Sequence, residues 1–193
     1  MNYTKIILIS VLSIFCAVSS CINNNQNNTK NQFKEKVKAY IGKKIILPKD
    51  SLIHLKDNNV LPIEESNLYS NEMKIVTCIN ANCHICVYNL DKWKQELIKK
   101  INSKNLNYIF YLYTDNYDLF KKSLYYKISG DYPLLIDTTN AFVSDNNLPK
   151  MDKRFHTFLI NKNNEIILVG NPLQNIRIKN LYFEEINKRL GKQ

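Results

Sequence analysis

Hydrophobic and polar positions divide the chain into three regimes. Ile6 to Val18 form an apolar stretch broken only by Ser10 and Ser13. Residues 22–32 carry a single apolar side chain, Ile22, among Asn, Gln, Thr and Lys. From Phe33 onward, apolar residues recur at helical or strand spacing to the C-terminus.

Within that last regime, Phe33, Val37, Tyr40 and Ile41 mark one face of a short helix that Gly42 ends. Ile45-Ile46-Leu47, before Pro48, reads as a short strand, and Leu52 to Leu61 as irregular chain. Met73 to Ile79 is a strand, after which Val87, Leu90, Trp93, Leu97, Ile98 and Ile101 recur as on a helix. Tyr108 to Tyr113 is a continuous apolar run, the pattern of a strand covered on both faces. Leu119, Phe120, Leu124, Tyr125 and Ile128 mark the next helix, closed by Gly130. Pro133 to Asp137 is a third central strand, followed by a weakly helical or irregular piece from Ala141 to Leu148. Phe155 to Ile160 and Ile166 to Val169 are strands joined by an Asn-rich tight turn, Asn161-Lys162-Asn163-Asn164. Ile176 to Leu190 is a final helix. This order predicts an α/β domain: a central, mainly parallel sheet with an antiparallel edge hairpin and helices on both faces. There is no internal repeat and no second domain in the pattern.

The first two regimes change the domain picture. Lys5 followed by the apolar stretch has the length of a signal peptide, and Val18-Ser19-Ser20-Cys21 resembles a bacterial lipobox. The expected division is a lipoprotein signal peptide over 1–20, lipidation at Cys21, an Asn-rich tether over 21–32 and a folded domain over 33–193. Cys16 leaves with the signal. The folded part is then expected in the bacterial cell envelope, anchored through Cys21 on the periplasmic or outer-surface side, where disulfides persist. Ile22 stands where an Asp would have signalled inner-membrane retention.

Twenty-seven Lys and Arg against seventeen Asp and Glu give a net charge of +10. The basic residues are dispersed, so the charge reads as a solvated surface of a Lys-, Asn- and Ile-rich chain rather than a nucleic-acid face. Only four glycines are present, with no phosphate-binding Gly-rich loop, and neither nucleic acid nor nucleotide is expected as a partner. No pair of carboxylates stands at catalytic spacing.

The chemistry-bearing segment is Cys83-His84-Ile85-Cys86, between the strand ending near Ile79 and the first turn of the long helix. Two thiols three residues apart at a helix start can close a small disulfide ring, and the helix N-terminus favours a thiolate. The first cysteine would be the exposed nucleophile and the second, one turn into the helix, the resolving thiol. Cys78, inside the strand, is expected to be a small core residue, with a third redox thiol as the sharper alternative. His84 either lowers the Cys83 pKa through its charge or points into solvent. His54 is expected at the surface.

Lys74-Ile-Val-Thr-Cys-Ile79, Cys83-His-Ile-Cys86 opening a helix that contains Trp93, and the hairpin Thr157-Phe-Leu-Ile-Asn161 to Glu165-Ile-Ile-Leu-Val-Gly170 together resemble the thioredoxin-like superfamily. Within it, the likeness is to the membrane-tethered TlpA/ResA type of thiol-disulfide oxidoreductase, over roughly Lys43 to the end. The resemblance implies a thioredoxin fold, Cys83 as attacking thiol, Cys86 as resolving thiol, protein thiols or disulfides of the envelope as partners, and no cofactor beyond the redox-active disulfide. In that family a cis-proline precedes the hairpin strand; alignment puts Phe155 there, after Arg154. A cis bond without proline costs about 2.5–4 kcal/mol, so a trans peptide is expected. His156 follows this position, and Cys83, Cys86 and His156 would make a Cys2His set suited to zinc or copper(I). The alternative function is accordingly a non-catalytic lipoprotein of the same fold, acting as a binding module or metal site in an envelope assembly.

Overall fold

The computed structural model describes residues 31–50, 52–56, 59–62, 67–101, 103–123, 134–150 and 152–191. Cys21, the signal, most of the tether, and the stretch with Leu124, Tyr125, Ile128 and Gly130 lie outside them. Two compact units are present, Met1–Tyr40 and Ile41–Gln193. The first contributes helix α1 over residues 31–40. Among the described residues no helix is long and apolar enough to cross a membrane.

The second unit is built on one seven-stranded sheet: β1 (Leu52–Lys56), β2 (Asn59–Leu61), β3 (Met73–Asn80), β4 (Leu106–Tyr113), β5 (Leu134–Asp137), β6 (Thr157–Asn161) and β7 (Ile166–Val169). Its order is β2-β1-β5-β4-β3-β6-β7. The α/β class holds, but parallel pairing is confined to β3 with β4 and β4 with β5. β1–β2, β1–β5, β3–β6 and β6–β7 are antiparallel. The sheet is thus less parallel than the sequence pattern predicts, because Leu52–Lys56 and Asn59–Leu61 are paired antiparallel strands rather than irregular chain. β1 gains its inner partner from β5, a long-range pairing that local periodicity does not report, and β2 pairs with β1 at the edge. Ile45 to Leu47 forms no strand; an isolated bridge joins Lys44 to Glu165 instead.

β4 lies at the centre, and Ile109, Phe110, Tyr111 and Leu112 are all buried, as its unbroken apolar run requires. On one face the core joins Ile75, Phe110, Leu112, Ile136 and Leu159 to Val87, Leu90, Trp93 and Leu97. These last four come from α2 (His84–Tyr88), α3 (Leu90–Trp93) and the π-helical turn Lys94–Ile98 that follows. Tyr182 and Ile186 of α6 (Ile176–Leu190) join the same core one turn apart, with Ile178 and Leu190 extending the stripe. α4 (Tyr117–Ser123) adds Phe120. On the other face Phe142 of α5 (Ala141–Asp145) stacks on Tyr111, ring centroids 4.7 Å apart, and meets Phe158 at 6.4 Å.

Two basic side chains are buried where the sequence suggested surface or gave no signal. His54, opposite Leu135 in the β1–β5 ladder, is 1% exposed, correcting its expected surface position. Lys74 is fully buried, and its Nζ donates to the carbonyls of Tyr69, Asn71 and Lys162 at 3.2–3.3 Å.

The loop after β7 is held by close packing. Gly170 has φ +117, and a Cβ there would stand 2.9 Å from Cδ1 of Ile178. The buried Tyr182 hydroxyl donates to the Gly170 carbonyl at 3.0 Å. This contact ties the middle of α6 to the end of β7, and Asn171, Leu173 and Gln174 of the loop between them lie with Thr77 to Asn80 at the C-terminal end of β3.

Candidate active site

β3 pairs with β4 through Asn80, and the Ala81 N–H continues the ladder by donating to the Tyr113 carbonyl at 2.7 Å. Asn82 is fixed from both sides: its N–H donates to Asn80 Oδ1 at 3.0 Å, and its own Oδ1 accepts from Thr114 Oγ1 at 2.9 Å. The next residue, Cys83, is the N-cap of α2 with extended backbone, φ −106 and ψ 107. Its carbonyl accepts from Cys86 and Val87 N–H at 3.0 and 3.1 Å. The strand-to-helix turn therefore carries the first cysteine at its corner and the second one turn later.

Both sulfurs are free thiols and both residues are half-exposed. The Cys86 thiol is hydrogen-bonded to Cys83, and this contact, with the Cys86 peptide N–H, holds the Cys83 pKa below the usual thiol value; Lys153 and the Ile85 N–H add to it. Burial pushes the Cys86 thiol up, and the hydrogen bond and charge of Cys83 push it further, with Lys153 opposing. The pair is thus asymmetric: one sulfur set to ionise first, its neighbour kept protonated.

A cavity of about 210 Å³ opens beside Cys86, with Thr77, Cys78, Trp93, Lys153 and Thr157 among its walls. Thr77 and Thr157 face each other across the β3–β6 ladder, their hydroxyls 2.8 Å apart. Cys78 is a free thiol in the cavity wall; burial pushes its pKa up to about 12, the Asp137 carboxylate raises it and Lys153 lowers it. Asp137 is itself fully buried and accepts from Thr139, Ala141 and Phe142 N–H at 3.2, 2.9 and 3.0 Å. Trp93 is core, 2% exposed and edge-on to Phe110 at 5.6 Å, yet it also touches the cavity.

Phe155 and His156 sit elsewhere than the sequence suggested. Phe155 belongs to the 3₁₀ turn Lys153–Phe155 rather than to β6, and its side chain is wholly buried. In a three-residue turn successive side chains point about 120° apart, so Phe155 enters the core while Lys153 faces the dithiol. No cis peptide occurs among the described residues, as the missing proline led one to expect. His156 is 8% exposed and its Nε2 lies 3.0 Å from the Pro149 carbonyl. The Cys83, Cys86 and His156 set is not assembled: among the described residues no group of three His, Cys, Asp or Glu is placed to hold a metal. His84 is exposed on α2, along a second cavity with Asn82, Thr114 and Leu119.

Lys153 lines the cavity beside the dithiol and was not singled out from the sequence. It acts on all three cysteines. The signal available was the basic pair Lys153-Arg154 just upstream of a strand expected to begin beside the dithiol. Arg154 is drawn off by Asp152, which accepts from its Nε and Nη2 at 2.7 Å each.

No protein-family model matches this sequence, and no curated protein matches it significantly. Solved structures do. A candidate protein disulfide isomerase of Bacteroides thetaiotaomicron superposes with a TM-score of 0.57 at 16% identity, over 79% of this chain and 91% of that one. The thioredoxin domain of a thiol-disulfide oxidoreductase of Bacteroides vulgatus gives 0.53 at 11% identity, over 76% and 98%. A candidate thiol:disulfide interchange protein of Chlorobium tepidum gives 0.51 at 11%, over 74% and 98%. The fold is thioredoxin-like. In this fold the Cys83-to-Cys86 turn stands at the junction of β3, next to the central β4, with the helix packed over the sheet, and the β6–β7 hairpin lies beside it.

Proposed function

We propose that this protein is an extracytoplasmic thiol-disulfide oxidoreductase, anchored to the membrane through lipid on Cys21, that exchanges two electrons with protein thiols or disulfides. One observation carries the reading: Cys83 at the N-cap of α2 and Cys86 one turn on are both free, partly exposed thiols, and their opposite pKa directions agree with that placement. That is the arrangement exchange needs, since the attacking species is the thiolate.

In the reducing direction the Cys83 thiolate attacks a substrate disulfide, forming a mixed disulfide and releasing one substrate thiolate. Cys86 then attacks the Cys83 sulfur, closing the Cys83–Cys86 disulfide and releasing the second thiolate, which receives the Cys86 proton. The substrate gains two electrons and the protein loses two; oxidation of a dithiol runs the same steps backwards. No group beyond the two sulfurs is required. Ile85 and Tyr88 beside the dithiol are 76% and 73% exposed, an apolar rim suited to a protein partner. The membrane location is supported by Val18-Ser19-Ser20-Cys21 and the polar tether after it.

Insulin reduction by dithiothreitol, followed as turbidity, tests the chemistry. Wild type is expected to accelerate it, Cys83→Ser to abolish the acceleration, and Cys86→Ser to accumulate a mixed disulfide at Cys83. Indistinguishable behaviour of the three proteins defeats the proposal. For the anchor, Cys21→Ala is expected to move the protein from the membrane fraction to the soluble one.

A further inference from the structure

The walls of the Cys86 cavity differ in charge from an ordinary surface groove. Asn89, Lys92 and Trp93 form the helix side, and Lys153, Asn171 and Gln174 the opposite rim. Two lysines and four residues with primary amides, Asn80, Asn89, Asn171 and Gln174, line the space, and among the described residues no Asp or Glu lines it. Neither lysine makes an ion pair among the described residues. The nearby acids are engaged elsewhere: Asp152 by Arg154, Glu96 by Lys179, and the buried Asp137, which acts on Cys78 from behind the cavity wall, by the Ala141 and Phe142 N–H groups; Lys92 also acts on Glu96 at longer range. What remains is a cavity lined by two lysines outside any ion pair and by amide N–H donors, against the resolving sulfur. Carboxylate oxygens are the acceptors such donors match.

We propose that the disulfides exchanged by this protein carry a carboxylate close to the reacting sulfur, and that Lys92 and Lys153 receive it in the cavity beside Cys86. This rests on the exchange reaction proposed above and names its substrate class. When the Cys83 thiolate attacks R–S–S–R′, the Cys83–S bond to R forms, the S–S bond breaks and R′ leaves as thiolate. Cys86 lies one turn from Cys83, its N–H donating to the Cys83 carbonyl at 3.0 Å, and also walls the cavity, so an acidic group on R falls over the two lysines while the mixed disulfide exists. Closure of Cys83–Cys86 then expels R as thiolate, with the Cys86 proton, and the anionic product leaves the site.

The test compares three small disulfides with the full-length protein in detergent: 3,3′-dithiodipropionate (anionic), bis(2-hydroxyethyl) disulfide (neutral) and cystamine (cationic). Each rate is divided by that of the same disulfide with a free monothiol at the same pH, which removes intrinsic reactivity. The anionic compound is expected to exceed the cationic one by about tenfold or more at low ionic strength, the scale of one charge-assisted hydrogen bond, and the ratio is expected to shrink as salt rises. Lys92→Gln with Lys153→Gln should bring the ratio near one, while Lys92→Arg with Lys153→Arg should keep it. A ratio near one in wild type, or a preference that survives the double Gln variant, overturns the assignment while leaving the oxidoreductase reading in place. Failure to react with all three, the neutral one included, overturns the oxidoreductase reading itself and the assignment with it.

Discussion

Thr77 and Thr157 are register partners on β3 and β6, and their Oγ1 atoms meet at 2.8 Å in the wall of the cavity that reaches Cys86. The two hydroxyls satisfy each other without placing a charge under the dithiol. Thr77→Val leaves the Thr157 hydroxyl buried with its partner gone, a loss of about 1–3 kcal/mol. Thr77→Val with Thr157→Val removes both halves, so the double variant should be less destabilised than the sum of the singles by about 0.5 kcal/mol or more. Denaturant unfolding of the four proteins measures this; strictly additive losses would show that the pair contributes nothing jointly.

The asymmetry of the dithiol sets its pH behaviour. Cys83 has a lowered pKa and Cys86 a raised one, so iodoacetamide should label Cys83 first, with a midpoint below that of a free cysteine. Forming the disulfide from a fully protonated dithiol releases two protons, and from the Cys83 thiolate only one. The reduction potential should therefore fall by about 59 mV per pH unit below the Cys83 pKa and about 30 mV above it. Equal labelling of the two residues contradicts the assignment of roles.

Cys78 contributes in the alkaline range. Its folded pKa is about 12 against an ordinary value of 9.0, so above pH 9 the unfolded chain loses a proton that the folded chain keeps, and stability falls as pH rises toward 12. Buried Tyr108, Tyr111 and Tyr182 act in the same sense. The Cys78 share is read as a difference: Cys78→Ala should lose less stability than wild type between pH 9 and 11. Parallel curves would show that this thiol titrates alike in the folded and unfolded chain.

His156 acts at the other end. Desolvation lowers its pKa below 6.5, so as pH falls through 6.5 the unfolded chain protonates first and stability declines, levelling once the folded pKa is passed. His156→Gln should flatten stability between pH 7 and 5 while leaving the Cys83 alkylation midpoint unchanged. A shifted midpoint would give His156 a part in the thiol chemistry that its contact with Pro149 does not indicate.

The predicted and observed elements agree where a segment carries its own signal. Ile166–Val169 and Ile176–Leu190 match to the residue, and Met73–Asn80 and Leu106–Tyr113 within two. They fail where a strand exists only through its partner, as for Leu52–Lys56, or where a turn redirects neighbouring side chains, as at Phe155. The motif Cys83 to Cys86 was legible for the first reason: thiol spacing and the change from strand to helix period both lie within a few residues.

What the sequence alone determined is local. The alternation that makes β3 and β4, the helical stripe ending at Leu190, and two thiols one turn apart all follow from residues near one another in the chain. The tertiary structure decided which groups surround those thiols. Lys153 reaches them from a turn 67 positions beyond Cys86, Cys78 joins the same cavity from within the strand, and His156 turns away to Pro149. Charge, desolvation and cavity walls act through space, so their effect on a sulfur depends on sheet order and side-chain direction rather than on distance along the chain.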